Sequence, residues 1–315
     1  MSFNANKHNV GCGDTVLLYV GYDNMLPVVV EKGKTHQTKF GAVKHDDLIG
    51  KQFGTRLQCP RGWIYLLRPT PELWTLSLPH RTQILYTTDI SMVIFQLDLR
   101  PGSIVAEAGT GSGSLSHAIL RTIAPKGHLH TFEFHKERSE KAREEFHLHG
   151  HAQCVTVTHR DVCGEGFQLE HTVDAVFLDL PKPWECILSA KRAMKKQGGR
   201  ICSFSPCIEQ VQRTCEELSA KKFTDIVTME CLARHFNLQY AKLQNVSFKT
   251  IDETIDPQAE ADSEPPVKKA NVTPSSRDRR GDSDMHHFTS AVPAINMPGH
   301  TGFLTFATLT SNDVN

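Results

Sequence analysis

Three carboxylates and one glycine-rich stretch carry the chemistry that the residue types and spacings suggest. Residues 105–116 read Val-Ala-Glu-Ala-Gly-Thr-Gly-Ser-Gly-Ser-Leu-Ser. An apolar run, 104–106, precedes the glycines at 109, 111 and 113, and helical spacing follows at Leu115, Ala118, Ile119, Thr122 and Ile123. That order predicts a strand, a tight turn and a helix. Glycine permits positive φ and lets a ligand approach bare backbone. The helix N-terminus behind the turn offers unpaired N–H groups and a partial positive charge. The spacing is G-x-G-x-G, whereas a dinucleotide fingerprint needs G-x-G-x-x-G, and Ser114 stands where the third glycine would be. The loop points to a nucleoside-type cofactor without a pyrophosphate, the alternative being a plain structural turn.

The acids fall at the ends of expected strands, where ligands of open α/β sheets lie. Glu133 ends the second strand, 24 residues after Gly109. A carboxylate there can accept both hydroxyls of a ribose; the plainer reading is an exposed acid opening a helix. Asp161 ends the third strand, where its side chain and the N–H of Val162 could hold an adenine edge, or simply make a turn. Asp179 ends the fourth strand, between Leu178 and Leu180-Pro181. A buried, unpaired carboxylate is costly, so Asp179 suggests a cationic or hydrogen-bonding ligand rather than a structural cap. Together these features point to S-adenosyl-L-methionine and to methyl transfer. No Ser-His-Asp or Cys-His arrangement stands out, and reactivity at Cys163 or Cys207 would need an activation the sequence does not show.

The elements that must position these residues follow from the pattern. Residues 1–70 hold short strands at 14–20, 27–31, 35–43 and 63–68 punctuated by glycines, which predicts a small N-terminal β-barrel domain. Residues 71–100 read as a connector and a helix with Asp89 as N-cap, burying Ile90, Val93, Ile94 and Leu97. From 101 the pattern alternates. Strands are expected at 104–107, 128–133, 154–159, 173–178, 200–205 and 224–232. Helices are expected up to 124, over 136–148, from Pro183 to Gly198-Gly199 (burying Trp184, Ile187 and Leu188), and over 208–222 with Ile208 on its buried face. This is an α/β, Rossmann-like sheet with helices on both faces. Residues 249–298 are polar, charged and proline-rich, and predict a disordered insertion. A last strand at 302–308 closes the sheet.

Formal net charge is zero, but unevenly spread. Lys and Arg outnumber Asp and Glu by ten to six in 1–81 and by twenty to nineteen in 82–250, and are outnumbered five to nine in 251–290. The folded part is thus mildly basic. Nine cysteines without a C-x-x-C pair read as reduced thiols of an intracellular protein. His147, His149 and His151 read as surface residues, and no metal site is expected. No stretch has membrane-spanning apolar length, so no membrane partner is expected. Basic stretches at 265–269 and 277–280 faintly resemble nuclear-import patches, although solvated linker charge is the simpler reading.

Six stretches carry a resemblance. They are 61–90 (RGWIYLLRPTPELWTLSLPHRTQILYTTDI), 107–117 (EAGTGSGSLSH), 127–135 (GHLHTFEFH), 177–184 (FLDLPKPW), 203–214 (SFSPCIEQVQRT) and 299–307 (GHTGFLTFA). The chain resembles the catalytic subunits of the eukaryotic tRNA (adenine-58-N1)-methyltransferase over most of 1–245 and 299–308. The resemblance implies a class I methyltransferase domain over 101–248 and 299–310. It implies cofactor contacts at Leu85, Ser112, Gly113, Ser114, Glu133, Arg138, Asp161 and Val162, beside Gly109 and Gly111 of the loop, and a catalytic carboxylate at Asp179. It further implies tRNA as substrate and a nuclear heterotetramer of two catalytic and two non-catalytic homologous subunits. Tyr86 and Phe204 could flank an unstacked adenine or belong to the core. A methyltransferase for another substrate, and a non-catalytic RNA-binding scaffold, are the readings the residues leave open.

Overall fold

Short runs broken by glycine form the first six strands: β1 (Thr15–Gly21), β2 (Asn24–Val29), β3 (Thr35–Thr38), β4 (Gly41–Lys44), β5 (Arg56–Cys59) and β6 (Gly62–Leu67). The computed structural model describes residues 3, 7–21, 24–79, 82–244, 285–296 and 299–311. The strands pair antiparallel in the order β2-β1-β6-β5. The run expected as one strand at 35–43 is instead the hairpin β3–β4, with Gly41 at φ +119° after the turn. No ladder among the described residues joins β2 to β5, so the expected barrel is seen as a four-stranded sheet plus a hairpin. The sheet's second face is covered in another way. Val16, Leu18 and Val20 of β1 enter one core, while Leu17 packs with Trp74 and Leu78 of the following segment.

That segment holds α1 (Pro71–Ser77), capped by the Thr70 hydroxyl, and α2 (Thr87–Gln96). The N-cap of α2 is Tyr86, not Asp89. Asp89 lies inside the first turn, fully buried, with burial raising its pKa. The alternation then runs β7 (Ile104–Ala108), α3 (Ser114–Ile123), β8 (His128–Glu133), α4 (Lys136–Leu148), β9 (Val155–His159), α5 (Val162–Glu165) and β10 (Ala175–Asp179). A 3-10 turn (Pro183–Cys186), α6 (Ile187–Ala193), β11 (Gly198–Ser205), α7 (Ile208–Ala220), β12 (Thr224–Met229) and β15 (Phe303–Thr310) complete it. Gly198 and Gly199 therefore open a strand instead of capping a helix, which stops at Ala193. Gly198 has no room for a side chain, since a Cβ would lie 2.1 Å from the Leu309 carbonyl oxygen. Leu188 and Ile208, expected inside, are exposed at helix surfaces.

The large sheet has the order β12-β15-β11-β10-β7-β8-β9. All pairs are parallel except those of β15, which runs antiparallel between β11 and β12. Strand order reverses between β7 and β10, which makes their carboxyl ends the switch point where ligands bind. One apolar layer joins α2 and α3 to the sheet through Val93, Ile119 and Phe177. The other joins α6 and α7 through Ile187, Ala190 and Leu218. The N-terminal sheet and this sheet fall in one compact unit, Met1–Ala233 with Pro298–Asn315.

A second unit, Arg234–Met297, contains β13 (Phe236–Gln244) and β14 (Met285–Pro293), paired antiparallel along their whole length. The disorder expected over 249–298 therefore does not hold for 285–293. Those residues include Phe288 and Val292, and their partner strand lies before the polar stretch that governed the expectation. The rest of that stretch up to 284, with the basic runs at 265–269 and 277–280, lies outside the described residues.

Candidate active site

The glycine loop links β7 to α3. Gly109, Gly111 and Gly113 have φ of +97°, +53° and +77°, the left-handed region that glycine tolerates. Two of them are also required by close packing within the chain. A Cβ on Gly109 would lie 2.3 Å from the Asp179 carbonyl oxygen, and one on Gly111 would lie 2.8 Å from Thr82 Oγ1. The close approach expected from a ligand is thus already made by the chain's own backbone and connector. Gly113 caps α3.

Glu133 ends β8 almost fully buried. Its carboxylate accepts from the N–H groups of Gly111 and His135, each at 3.0 Å, and pairs with Arg138 at 3.0 Å. Arg138 Nε is buried and has no hydrogen-bond partner. Asp161 caps the short helix α5, accepting from Cys163 N–H at 3.0 Å. Val162 is the first residue of that helix, so its N–H has no carbonyl one turn back to bond. Asp179 ends β10, and burial, then the neighbouring Glu133 charge, push its pKa up to about 6. Gly109, Gly111, Glu133, Arg138, Asp161 and Asp179 line one cleft of about 560 Å³, together with Leu180, Pro181 and Lys182. The structure thus unites six of the sequence-predicted residues.

The others have different places. Ser114 Oγ donates to the Leu85 carbonyl at 3.0 Å and lies 2.8 Å from Thr75 Oγ1. Ser112 Oγ accepts from Thr82 N–H at 3.1 Å. These two hydroxyls tie the connector to the loop. Leu85, Ser112, Gly113 and Ser114 line a small recess beside the cleft, together with Glu107. Val162 is packed in the core. Tyr86 is exposed as the N-cap of α2, and Phe204 pairs with Asp179 across β10–β11 while its ring fills the space beside Gly302. Neither aromatic is among the cleft-lining residues.

Sequence reasoning missed three features. Glu107, inside β7, is completely buried and accepts from Ser116 and Thr131 at 2.6 and 2.7 Å. Burial pushes its pKa up to about 7, with smaller contributions from Asp179 and Glu133. A charged residue inside a run of apolar strand residues was the available signal. The histidine cluster is the second. His149 and His151 are buried, not on the surface, while His147 is exposed. Burial lowers His149 to about 3 and His151 to about 4, which keeps both rings neutral. His117 Nδ1 donates to the Gly113 carbonyl at 2.6 Å, and its Nε2 lies at hydrogen-bond distance, 2.8 Å, from His149 Nδ1. No metal was expected, yet His117, Glu145 and His149 each bring one donor atom within 4.8 Å of the others. The ring nitrogens of His117 and the Nδ1 of His149 are already engaged in this chain of bonds, which braces the glycine loop. The third is Cys186, whose sulfur lies 3.4 Å from that of Cys163.

Strand order, glycine loop and acidic strand ends define a class I S-adenosylmethionine-dependent methyltransferase. The structure resembles an S-adenosylmethionine-dependent O-methyltransferase from Thermotoga maritima, with a TM-score of 0.72, 25% identity, and coverage of 96% of this chain and 95% of that one. It has the fold of the tRNA (m1A58) methyltransferase TrmI from Aquifex aeolicus, with a TM-score of 0.65, 21% identity, and coverage of 95% and 98%. Residues 62–309 match the family described as tRNA methyltransferase complex GCD14 subunit, and the chain belongs to that family. The tRNA (adenine(58)-N(1))-methyltransferase catalytic subunit of Dictyostelium discoideum is 45% identical over 94% of this chain and 95% of its own. That of Candida albicans is 38% identical over 98% of each.

Proposed function

We propose that the chain is the catalytic subunit that methylates N1 of adenine 58 in tRNA. The observation that carries this is one cleft lined by Glu133, Asp161 and Asp179 together with the glycine loop, in a chain whose relatives carry that name over nearly their full length. The donor and acceptor set fits S-adenosyl-L-methionine. Acceptors at Glu133 and Asp161 suit ribose hydroxyls and an adenine amine, and the cleft volume of about 560 Å³ suits a ligand of that size. When bound, the cofactor supplies an electrophilic methyl group. Glu133, held by two backbone N–H groups and Arg138, keeps its oxygens fixed for the ribose. Asp179 turns a carboxylate toward the cleft, where it can accept from the exocyclic amine of the target base and stabilise positive charge on that base. The test is mass spectrometry of nucleosides from tRNA incubated with cofactor, this chain and its homologous partner. Appearance of 1-methyladenosine, and its loss when adenine 58 is replaced, is the expected result.

A partner subunit and tRNA belong to the same reading. The heterotetramer of two catalytic and two non-catalytic subunits, and a nuclear location, are further parts of the proposal. What supports a protein partner is the β13–β14 ribbon. The register puts Phe236, Leu238 and Tyr240 on one face, and all three are exposed. A two-stranded ribbon with such a stripe needs a covering surface. Native mass measurement of the co-expressed complex and imaging of the tagged chain check these two points.

A further inference from the structure

Two thiols meet at the edge of the cofactor cleft. Cys163 follows the Asp161–Val162 pair, is half-buried and lines the cleft. Cys186 ends the 3-10 turn that follows Pro181 and Lys182, and is wholly buried. Their sulfurs are 3.4 Å apart. A disulfide needs about 2.05 Å, so the remaining gap is about 1.4 Å, within the reach of modest side-chain and backbone adjustment. We propose that Cys163 and Cys186 are an oxidisable pair whose disulfide weakens cofactor binding in the adjoining cleft. This rests on the reading of that cleft as the S-adenosylmethionine site.

The roles of the two sulfurs differ. The Cys186 thiol donates toward Cys163 and stabilises its thiolate, which lowers the Cys163 pKa; the same bond, with burial, raises that of Cys186. The nucleophile is therefore the thiol that an oxidant in the cleft can reach, and the resolving thiol is the one shielded behind it. With a hydroperoxide as oxidant, the Cys163 thiolate attacks the peroxide oxygen, the O–O bond breaks and hydroxide leaves to take a proton from solvent. Cys163 is then a sulfenic acid. The Cys186 sulfur attacks it, the S–S bond forms, and the hydroxyl leaves as water with the Cys186 proton. Two electrons have moved from the sulfurs to the peroxide. A dithiol reductant reverses the step by thiol–disulfide exchange.

The consequence for the cleft follows from Cys163's backbone. Its N–H holds Asp161 Oδ1 at 3.0 Å, and its Sγ lies 3.8 Å from the Lys182 carbonyl. Drawing Cys163 toward Cys186 moves the helix start that presents Asp161 and the Val162 N–H. Loss of one such bond weakens binding by about tenfold. Linkage requires the reverse as well: bound cofactor disfavours the disulfide by the same factor.

The experiment uses the full chain, with its partner subunit, treated with hydrogen peroxide and then alkylated. Peptide mapping is expected to find residues 163 and 186 linked, and linked less when S-adenosylmethionine is present. Calorimetric titration with S-adenosylmethionine is expected to show about tenfold weaker binding after oxidation, restored by dithiothreitol. Cys186→Ser and Cys186→Ala are expected to bind cofactor normally before and after peroxide. Absence of the linked peptide overturns the proposal, as does unchanged affinity in the linked protein or equal peroxide sensitivity in both Cys186 variants. Failure of the reduced protein to bind cofactor at all would instead overturn the reading of the cleft.

Discussion

The two sheets of the compact unit both bury carboxylates, and they treat them in opposite ways. In the N-terminal sheet, Asp14 is buried at the start of β1 and accepts from Gly11 N–H at 2.7 Å, with Lys7 as its ion-pair partner. His45 there accepts from Glu31 N–H at 3.0 Å. These polar groups are satisfied by neighbours in the segments flanking that sheet and make a structure. In the large sheet, Glu107, Glu133 and Asp179 converge on one place, and the Glu133 charge adds to burial in raising the cost of ionising the other two. Only Glu133 has a cation beside it. A set of acids that repel one another at the open ends of β8 and β10 stores an affinity for positive charge and for hydrogen-bond donors. That is the physical difference between a buried acid and a site.

The sharpest way to break this comparison is Asp179→Ala. Single-turnover methylation should fall by about a hundredfold, or about 3 kcal/mol, while cofactor affinity changes little. A normal rate would remove Asp179 from the mechanism, and a slow rate with lost affinity would make it a cofactor ligand. The wild-type rate should also fall as pH drops below about 6, because the carboxylate is then protonated. The sign for stability is opposite. A raised folded-state pKa means that this group favours folding most at low pH, and the contribution is lost as pH rises through about 6. Asp179→Asn should abolish the pH dependence of the chemical step near that value.

Glu133→Ala comes next. Removing the acceptor for ribose, and leaving Arg138 unpaired, should weaken cofactor binding by about 1.5–3 kcal/mol in a calorimetric titration. Unchanged affinity would put the ribose elsewhere. Asp14→Ala is the matching change in the N-terminal sheet. It should lower stability by about 1–2 kcal/mol in denaturant unfolding, with cofactor affinity intact. An effect on affinity as large as that of Glu133→Ala would mean that the two sheets do not divide labour in this way.

The smallest effect is expected at His151, whose two ring nitrogens are buried without partners. His151→Leu should leave stability unchanged or raise it by up to about 1 kcal/mol, since it removes unsatisfied polar atoms. The same residue should contribute to acid sensitivity. Its folded pKa is lowered to about 4, so the unfolded chain takes up the proton first and stability falls as pH drops from about 6.5 toward 4. A thermal-unfolding series over that range compares the variant with the wild type.

Much of the large sheet was legible before any coordinates. Strand β8 and helix α4 fall where the sequence pattern puts them, because hydrophobic alternation and helical spacing are local signals. So is the glycine turn, whose positive φ values need no information beyond residue type. The carboxylates at 133, 161 and 179 could be placed at strand ends because β-α alternation itself defines where strands stop. The helix from Pro183 was harder to delimit, because Gly198-Gly199 serves a close strand approach to Leu309 and not a helix cap.

Other features were decided only in three dimensions. Pairing of residues 236–244 with 285–293 joins segments on either side of a long polar stretch, and no local composition encodes that. The histidines at 149 and 151 read as polar surface until Phe3, Trp74 and Phe146 enclose the cluster they form with His117. Cys163 gained a neighbour 23 positions away because α5 and the 3-10 turn pack together. Residue type and short-range spacing determined which groups were present and which element carried each. Which of them share a charge, a hydrogen bond or a low-dielectric pocket depends on contacts distant in sequence, and those energies exist only once the chain has closed around them.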